Sequence, residues 1–364
     1  MQDRRLIEIF LELTAIDAMS QNERPVADYI TAFLTRLGFS PKEDNTREIT
    51  GSNTGNLICP IGTGGNFALL SHMDTVRPTK DLKHVVTDEK ITTSGNTILG
   101  GDDRAGITAI LYAVEKAVKE KAPLNDFTVA FTVCEETTML GSLSIQLPDY
   151  IKGGIIFDSQ YRPGKFIFAA CGAKYFNVKI IGKASHAGIS PEKGINSIAA
   201  ASAIISNIKQ GRIDDETTVN IGTISGGEAT NVISPLTVFD GEVRSFDKAK
   251  VDKVLDEIKS TVSRISGEMK AQYVIEDRWD FEPFVLPKTS PVYIKINNAI
   301  INAGLEAAPV TSLGGSDANA LNARGIEAVN IGIGAQNPHA DDEFILIEDL
   351  YKASEIASQL IRKQ

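Results

Sequence analysis

The chain has 364 residues, 42% hydrophobic and 23% charged, which suits roughly two domains with ordinary cores and excludes a disordered or fibrous polymer. Its 47 acidic against 37 basic residues give a net charge of −10, a surface that repels nucleic-acid phosphates and anionic lipid. No run approaches the ~18 apolar residues that a bilayer crossing needs, so neither a nucleic-acid nor a membrane partner is expected.

Leu6-Ile7-Glu8-Ile9-Phe10-Leu11-Glu12-Leu13 is interrupted by glutamates, so it reads as an amphipathic helix, Leu6 to Thr14, and not as a signal peptide. Cys59, Cys134 and Cys171 form no C-x-x-C pair, which argues against a disulfide framework or a cysteine zinc site and for a reducing, cytoplasmic location. A second helix runs from Val26 to Leu37 and closes at Gly38. Gly62-Thr63-Gly64-Gly65 precedes a strand, Phe67 to Leu70, and no helix follows it directly; it is a turn and not a phosphate loop. A helix over Ala105 to Lys119 and strands at Phe127 to Val133 and Gly154 to Phe157 complete an alternating pattern, the signature of an α/β sheet with helices on both faces.

After Cys171 the pattern changes. Strand Tyr175 to Ile181, helix Ile195 to Ile208, strands Thr217 to Ile224 and Leu236 to Val243, helix Val251 to Ile265 and strand Gln272 to Glu276 give β-α-β-β-α-β, the ferredoxin-like order. Pro283 and Pro287 punctuate the chain before βα texture returns at Val292. The expected organisation is a discontinuous α/β domain, 1–173 and 287–364, carrying an inserted domain, 174–286.

The chemistry-bearing residues fall at strand ends and helix starts of the outer domain. His72-Met73-Asp74 follows the strand Phe67 to Leu70, where a polar strand end is the plain alternative to a metal ligand. Gly100-Gly101-Asp102-Asp103-Arg104 opens a helix, and Asp is also a good helix cap. Glu135-Glu136 follows the next strand, where adjacent carboxylates are costly to bury unless paired or metal-bound. Asp158 follows a further strand, Gly154 to Phe157, and His339 lies in the acidic loop Asn337 to Glu343. Cys134 reads as a core residue and His84 as a surface or structural one. Loops at one sheet edge converge in space, so His72, Asp102, Glu135/Glu136, Asp158 and His339 form a mixed nitrogen and oxygen set. That set suits Zn²⁺, with Mn²⁺ or Co²⁺ tolerable, and holds more ligands than one ion needs, which points to two ions bridged by a shared carboxylate.

These motifs, with Gly101-Asp102-Asp103-Arg104-Ala105-Gly106, Ser185-His186-Ala187-Gly188 and Gly314-Gly315-Ser316-Asp317-Ala318-Asn319, together resemble the co-catalytic zinc peptidases. That family includes peptidase T, carboxypeptidase G, the aminoacylases and succinyl-diaminopimelate desuccinylase. The match runs in order over essentially the whole chain, and its nearest branch is the peptidase T-like one. The resemblance implies that Asp102 bridges two Zn²⁺ ions per subunit, with a cis peptide to Asp103. His72 and Asp158 would complete one ion, and Glu136 and His339 the other; Asp74 would orient His72. The catalytic acid/base would be Glu135, and the substrate-binding residues His186, Asn231, Arg244, Gly315 and Ser316. His186 would reach the substrate carbonyl in its own or the partner subunit's site, because the inserted lid domain commonly forms a homodimer interface in this family.

The implied function is a dinuclear hydrolase that cleaves the amide of short peptides, an aminopeptidase on di- or tripeptides. Two cations activate a bridging hydroxide, Glu135 carries its proton to the leaving amine, and an arginine grips a carboxylate. The alternatives are an N-acyl amino acid deacylase of the same chemistry and a non-catalytic binding protein that keeps the fold.

Overall fold

The structure, a computed structural model, describes residues 4–363, the side chain of Thr138 excepted. It divides into two compact units. The first runs to Ala169 and resumes at Val285–Ser312 and from Ser316; the second comprises Ala170–Phe284 with Leu313–Gly315.

The first unit is built on a large mixed sheet. Leu57–Ile61, Phe127–Thr132, Phe67–His72, Gly153–Ser159, Glu327–Gly332 and Lys165–Ala170 lie side by side in that order. Phe127–Thr132, Phe67–His72, Gly153–Ser159 and Glu327–Gly332 run parallel, while Leu57–Ile61 and Lys165–Ala170 pair antiparallel at either side. Every residue of Phe67–His72 and Phe127–Thr132 is buried, which is why they read as continuous apolar runs and not as alternating strands. Burying each Leu, Ile or Phe side chain here contributes about 1.5–3 kcal/mol.

The helix Gly101–Lys119 packs on Phe67–His72 and Gly153–Ser159, and in turn receives the terminal helices Arg4–Thr14 and Ile347–Ile361. Its approach to the sheet depends on Gly106: a Cβ there would lie 2.0 Å from the Phe157 carbonyl oxygen.

Two strands run further than their apolar segments suggest. The ladder continues to His72, which pairs with Thr132, and Gly153–Ser159 includes Asp158. His72 and Asp158 are therefore strand residues and do not follow strands, because backbone pairing outlasts the apolar pattern. The helix expected from Ala105 starts at Gly101, but Asp102 (φ −82°, ψ 105°) and Asp103 (φ −117°, ψ 32°) are not helical. A small antiparallel sheet of Ala335–Gln336, Phe344–Leu346, Lys90–Thr93 and His84–Val86 has no counterpart in the sequence reading; strands this short carry too few positions for a period to show.

The second unit has the antiparallel order Gly211–Arg212, Thr218–Gly226, Leu236–Ser245, Gly172–Ile181, Gln272–Phe281, with helices Ser197–Asn207 and Lys248–Glu268. Apart from the two-residue edge strand Gly211–Arg212, this is the ferredoxin-like arrangement. Phe176, Val178 and Ile180 alternate inward from Gly172–Ile181 and pack with Phe239, Val243, Ala201, Ile204, Leu255 and Val262. Asn196 caps the first helix through bonds from Ile198 N and Ala199 N, and Asp247 caps the second through Ala249 N. Among the described residues, no helix is long and apolar enough to cross a membrane.

Candidate metal centre

Phe67–His72, Phe127–Thr132 and Gly153–Ser159 bring their carboxyl-terminal ends to one place, the edge at which open α/β sheets bind ligands. His72 Nε2 lies 3.1 Å from Asp102 Oδ1 and 3.5 Å from Asp158 Oδ1. His339 Nε2 lies 3.4 Å from Asp102 Oδ2 and 3.1 Å from Glu136 Oε1. The two oxygens of Asp102 thus face two different imidazoles. Ligand atoms of His72, Asp102 and Glu136 lie within 4.8 Å of one another, and so do those of His72, Asp103 and Asp158.

Each of these side chains is held by a polar neighbour. The Asp102–Asp103 peptide is cis, as the resemblance implies. Asp103 Oδ2 accepts from His72 N at 3.0 Å and from the Ser71 hydroxyl, and Oδ1 accepts from Gly106 N at 3.3 Å. Both Asp103 oxygens are thereby engaged, so Asp103 clamps the strand end to the helix start and leaves the facing position to Asp102. Asp74 accepts from Ser20 Oγ at 2.6 Å and from the backbone N–H groups of Glu135 and Glu136, each at 3.1 Å. Cys134, at φ 55°, turns the chain out of its strand so that both N–H groups reach that one carboxylate. His72 Nδ1 is 3.0 Å from the Asp74 carbonyl oxygen and 3.4 Å from Oδ1, so Asp74 meets the ring chiefly through its main chain.

The site is electrostatically unbalanced. Burial and the neighbouring Asp158 carboxylate push the Glu135 carboxyl well above its ordinary range. Burial lifts Asp158 to about 7, and Glu136 is also raised. The two imidazoles shift the other way in charge: the Asp102 and Glu136 carboxylates beside it raise His339 to about 10, and carboxylate neighbours raise His72 despite its burial. Asp102, between them, is held well below the ordinary carboxylate range by those imidazoles, against the opposing effect of burial. Glu136 Oε1 is buried without a hydrogen bond, although His339 Nε2 is near. A buried anionic oxygen left in that state is costly unless a cation lies against it. Crowded carboxylates, two imidazoles and an orphaned oxygen fit divalent metal ions.

The peptidase dimerisation domain family (M20_dimer) matches residues 168–270. Over 99% of this chain and 98% of the relative, the sequence is 34% identical to the uncharacterized protein YqjE of Bacillus subtilis (strain 168). The solved structure of aminopeptidase PepT from Bacillus cereus ATCC 10987 superposes with a TM-score of 0.92 at 31% identity, covering 99% of this chain and 98% of that one. A tripeptidase structure from Staphylococcus aureus gives 0.93 at 28% identity, with the same coverage. The chain belongs to the M20 metallopeptidases, in their peptidase T-like branch.

For an M20 metallopeptidase, the donor set accommodates a pair of divalent ions. The remaining expected residues of this peptidase lie elsewhere in the chain. In the second unit, exposed His186 accepts at Nδ1 from Gly188 N and Ile189 N, both at 3.2 Å, so its neutral ring carries hydrogen on Nε2 and offers a donor there. Asn231 is joined to this loop by Ala187 N→Asn231 O at 2.9 Å. Arg244 is gripped by Glu242 through two bonds of 2.8 and 3.0 Å and donates to the Leu313 carbonyl at 3.0 Å. The Arg244 guanidinium is thus already partnered by an acid of its own strand. Gly315 packs under the Phe281 ring, which a Cβ would approach to 2.9 Å. Ser316, in the first unit, caps the helix Asp317–Ala323 through Ala318 N, with Asn319 reaching back to Ser316 N.

Three supporting residues escaped the sequence reading. Glu343 accepts from Gly100 N at 2.8 Å and Asp102 N at 3.1 Å, so it pins the loop that carries Asp102; burial raises it to about 7. Arg104 is fully buried, donates to the Met73 carbonyl, and faces the charges of Asp74 and Asp103. Glu23 accepts from Cys134 N at 3.0 Å behind the Glu135 turn. The signal for Arg104 lay in the motif itself, since a charged residue between Asp103 and an apolar helix face has to find a buried partner. Glu343 is one of three adjacent acidic residues, and nothing local distinguishes it.

Proposed function

We propose that this M20 metallopeptidase is an aminopeptidase that removes the N-terminal residue of di- or tripeptides, using two Zn²⁺ ions. The observation that carries the reading is the placement of the Asp102 oxygens toward two different imidazoles, beside a part-buried Glu135 whose carboxyl is pushed well above its ordinary range. His72, Asp102 and Asp158 would hold one ion, and Asp102, Glu136 and His339 the other. When bound, the ions polarise the scissile carbonyl and acidify water.

The protein's own groups supply the rest. The Glu135 carboxylate takes a proton from the attacking water and returns it to the departing amine nitrogen, because an amide does not leave as an anion. The high proton affinity that burial gives Glu135 suits both halves of that transfer. Asp74 holds the Glu135–Glu136 turn and the His72 ring in one arrangement. His186 would donate from Nε2 to the developing oxyanion, while Arg244 and Asn231 would bind substrate polar groups and Gly315 and Ser316 its backbone. In this reading residues 1–173 and 287–364 are catalytic, residues 174–286 form the lid and the homodimer contact, and the enzyme works in the cytoplasm.

A panel of di- and tripeptides against N-acetyl amino acids, assayed with metal-loaded protein before and after chelation, tests the proposal. Release of the N-terminal amino acid from peptides, lost on chelation, is expected. Turnover of acyl amino acids with none of peptides would make the enzyme a deacylase instead, and activity that survives exhaustive chelation would remove the metals from the reaction.

A further inference from the structure

At the opposite, amino-terminal ends of the parallel strands lies a cavity of about 400 Å³. Phe67, Gly153 and Glu327, the first residues of three neighbouring strands, form its floor, and Val292 and Lys295 on the helix Pro291–Asn302 form a wall. The metal-ligand end of Phe67–His72 is five residues away along the strand, or roughly 17 Å at the usual rise. This is a separate place from the metal centre.

The cavity is mainly apolar yet contains a cation, Lys295. The Lys295 ammonium lies 4.1 Å from the centre of the Phe67 ring, and among the described residues no carboxylate pairs with it. Burial alone lowers its pKa. A second cation, exposed Lys152, lines the same cavity, and Lys295 also borders an adjoining cavity of about 590 Å³. The nearby acid, Glu327, is turned to the helix start, where it accepts from Ser290 Oγ at 2.8 Å. A part-buried ammonium normally gains a carboxylate or moves to water. Here it is held over an aromatic face in a space of small-ligand size.

We propose that this cavity is a second, non-catalytic binding site for a small carboxylate with an apolar body, its carboxylate on Lys295 and its apolar part against Phe67 and Val292. Charge complementarity selects the anion: among the described residues no carboxylate pairs with the cation, and Phe67, Ile155, Pro291 and Val292 give the rest of the ligand an apolar surface, with Asn66 and Glu327 also on the lining. The site does not depend on the catalytic reading.

The test is calorimetric titration of the metal-loaded full chain with 3-phenylpropionate, and with the neutral 3-phenylpropanol as control. Saturable binding of the carboxylate is expected, with the alcohol weaker by about tenfold, the worth of one charge-assisted bond. Lys295→Gln removes a part-buried charge that no carboxylate among the described residues pairs, so it leaves the fold and peptide turnover intact while weakening the carboxylate by a similar factor. Binding that is undiminished in Lys295→Gln places the ligand elsewhere and overturns the proposal. Equal affinity for acid and alcohol, or no saturable binding at all, overturns it as well.

Discussion

At the scale of single residues, the metal centre is a set of carboxylates whose roles are set by what occupies their oxygens. Asp102 and Asp103 are neighbours of the same type, yet backbone N–H groups and a hydroxyl fill Asp103 while Asp102 faces two imidazoles. Glu135 and Glu136 divide in the same way: Glu136 faces His339, and Glu135 stands among other carboxylates. Glu135→Gln should preserve the metal content, because it removes no proposed ligand, and lower kcat by about 10²–10⁴-fold, the range of a lost general base. Metal analysis and steady-state kinetics check both halves, and near-normal kcat would remove Glu135 from the proton transfer. Glu343→Ala leaves the N–H groups of Gly100 and Asp102 without their acceptor. Metal affinity should fall by about 10–100-fold, as for other partners that orient ligands, measurable by competition with a chelator.

At the scale of elements, the site depends on how closely one helix approaches the sheet. Gly106 sits where the first regular turn of Gly101–Lys119 meets Phe157 and Asp103. Gly106→Ala should destabilise the protein by about 1–3 kcal/mol through overpacking and should displace Asp103. A denaturation midpoint unchanged from wild type would show that the helix can retreat without cost. The short strand His84–Val86 is tied to the first helix by a 2.7 Å bond between His84 Nε2 and Thr14 Oγ1. Burial lowers the His84 pKa, so the unfolded chain binds a proton more readily than the folded one. Stability contributed by the neutral ring is present above the unfolded pKa of about 6.5 and declines as pH falls through that value toward the folded one. Acidifying from about pH 7.5 to about pH 5.5 should therefore lower the wild-type Tm more than that of His84→Gln, which cannot charge. Parallel Tm profiles would show that His84 does not titrate differently on unfolding.

At the scale of the molecule, the second unit carries the dimerisation-domain match and the two helices laid on its sheet. Light scattering at micromolar protein should give twice the chain mass, and a monomer mass across concentrations would assign that unit another role. The sequence was most readable where a local pattern and a packing need coincide. The fully buried Phe67–His72 strand, the ferredoxin-like order after Gly172 and the cluster of His72, Asp102, Glu136, Asp158 and His339 are of that kind. Alternation and amphipathic spacing are written in neighbouring residues, and the ligand motifs recur at strand ends. The small sheet joining His84–Val86 to Ala335–Gln336 was not readable, because its strands are too short to carry a period and the pairing that joins its two halves, Lys90–Thr93 with Phe344–Leu346, links segments some 250 positions apart along the chain. The engagement of Asp103, the anchoring by Glu343 and the pairing of Arg244 with Glu242 are likewise decided by contacts and not by residue type. The sequence by itself determined the longer elements and which imidazole and carboxylate side chains fall at the sheet edge. Only the tertiary structure decided which carboxylate turns toward the imidazoles and which serves the backbone, since an acid's role depends on the donors that folding brings to its oxygens.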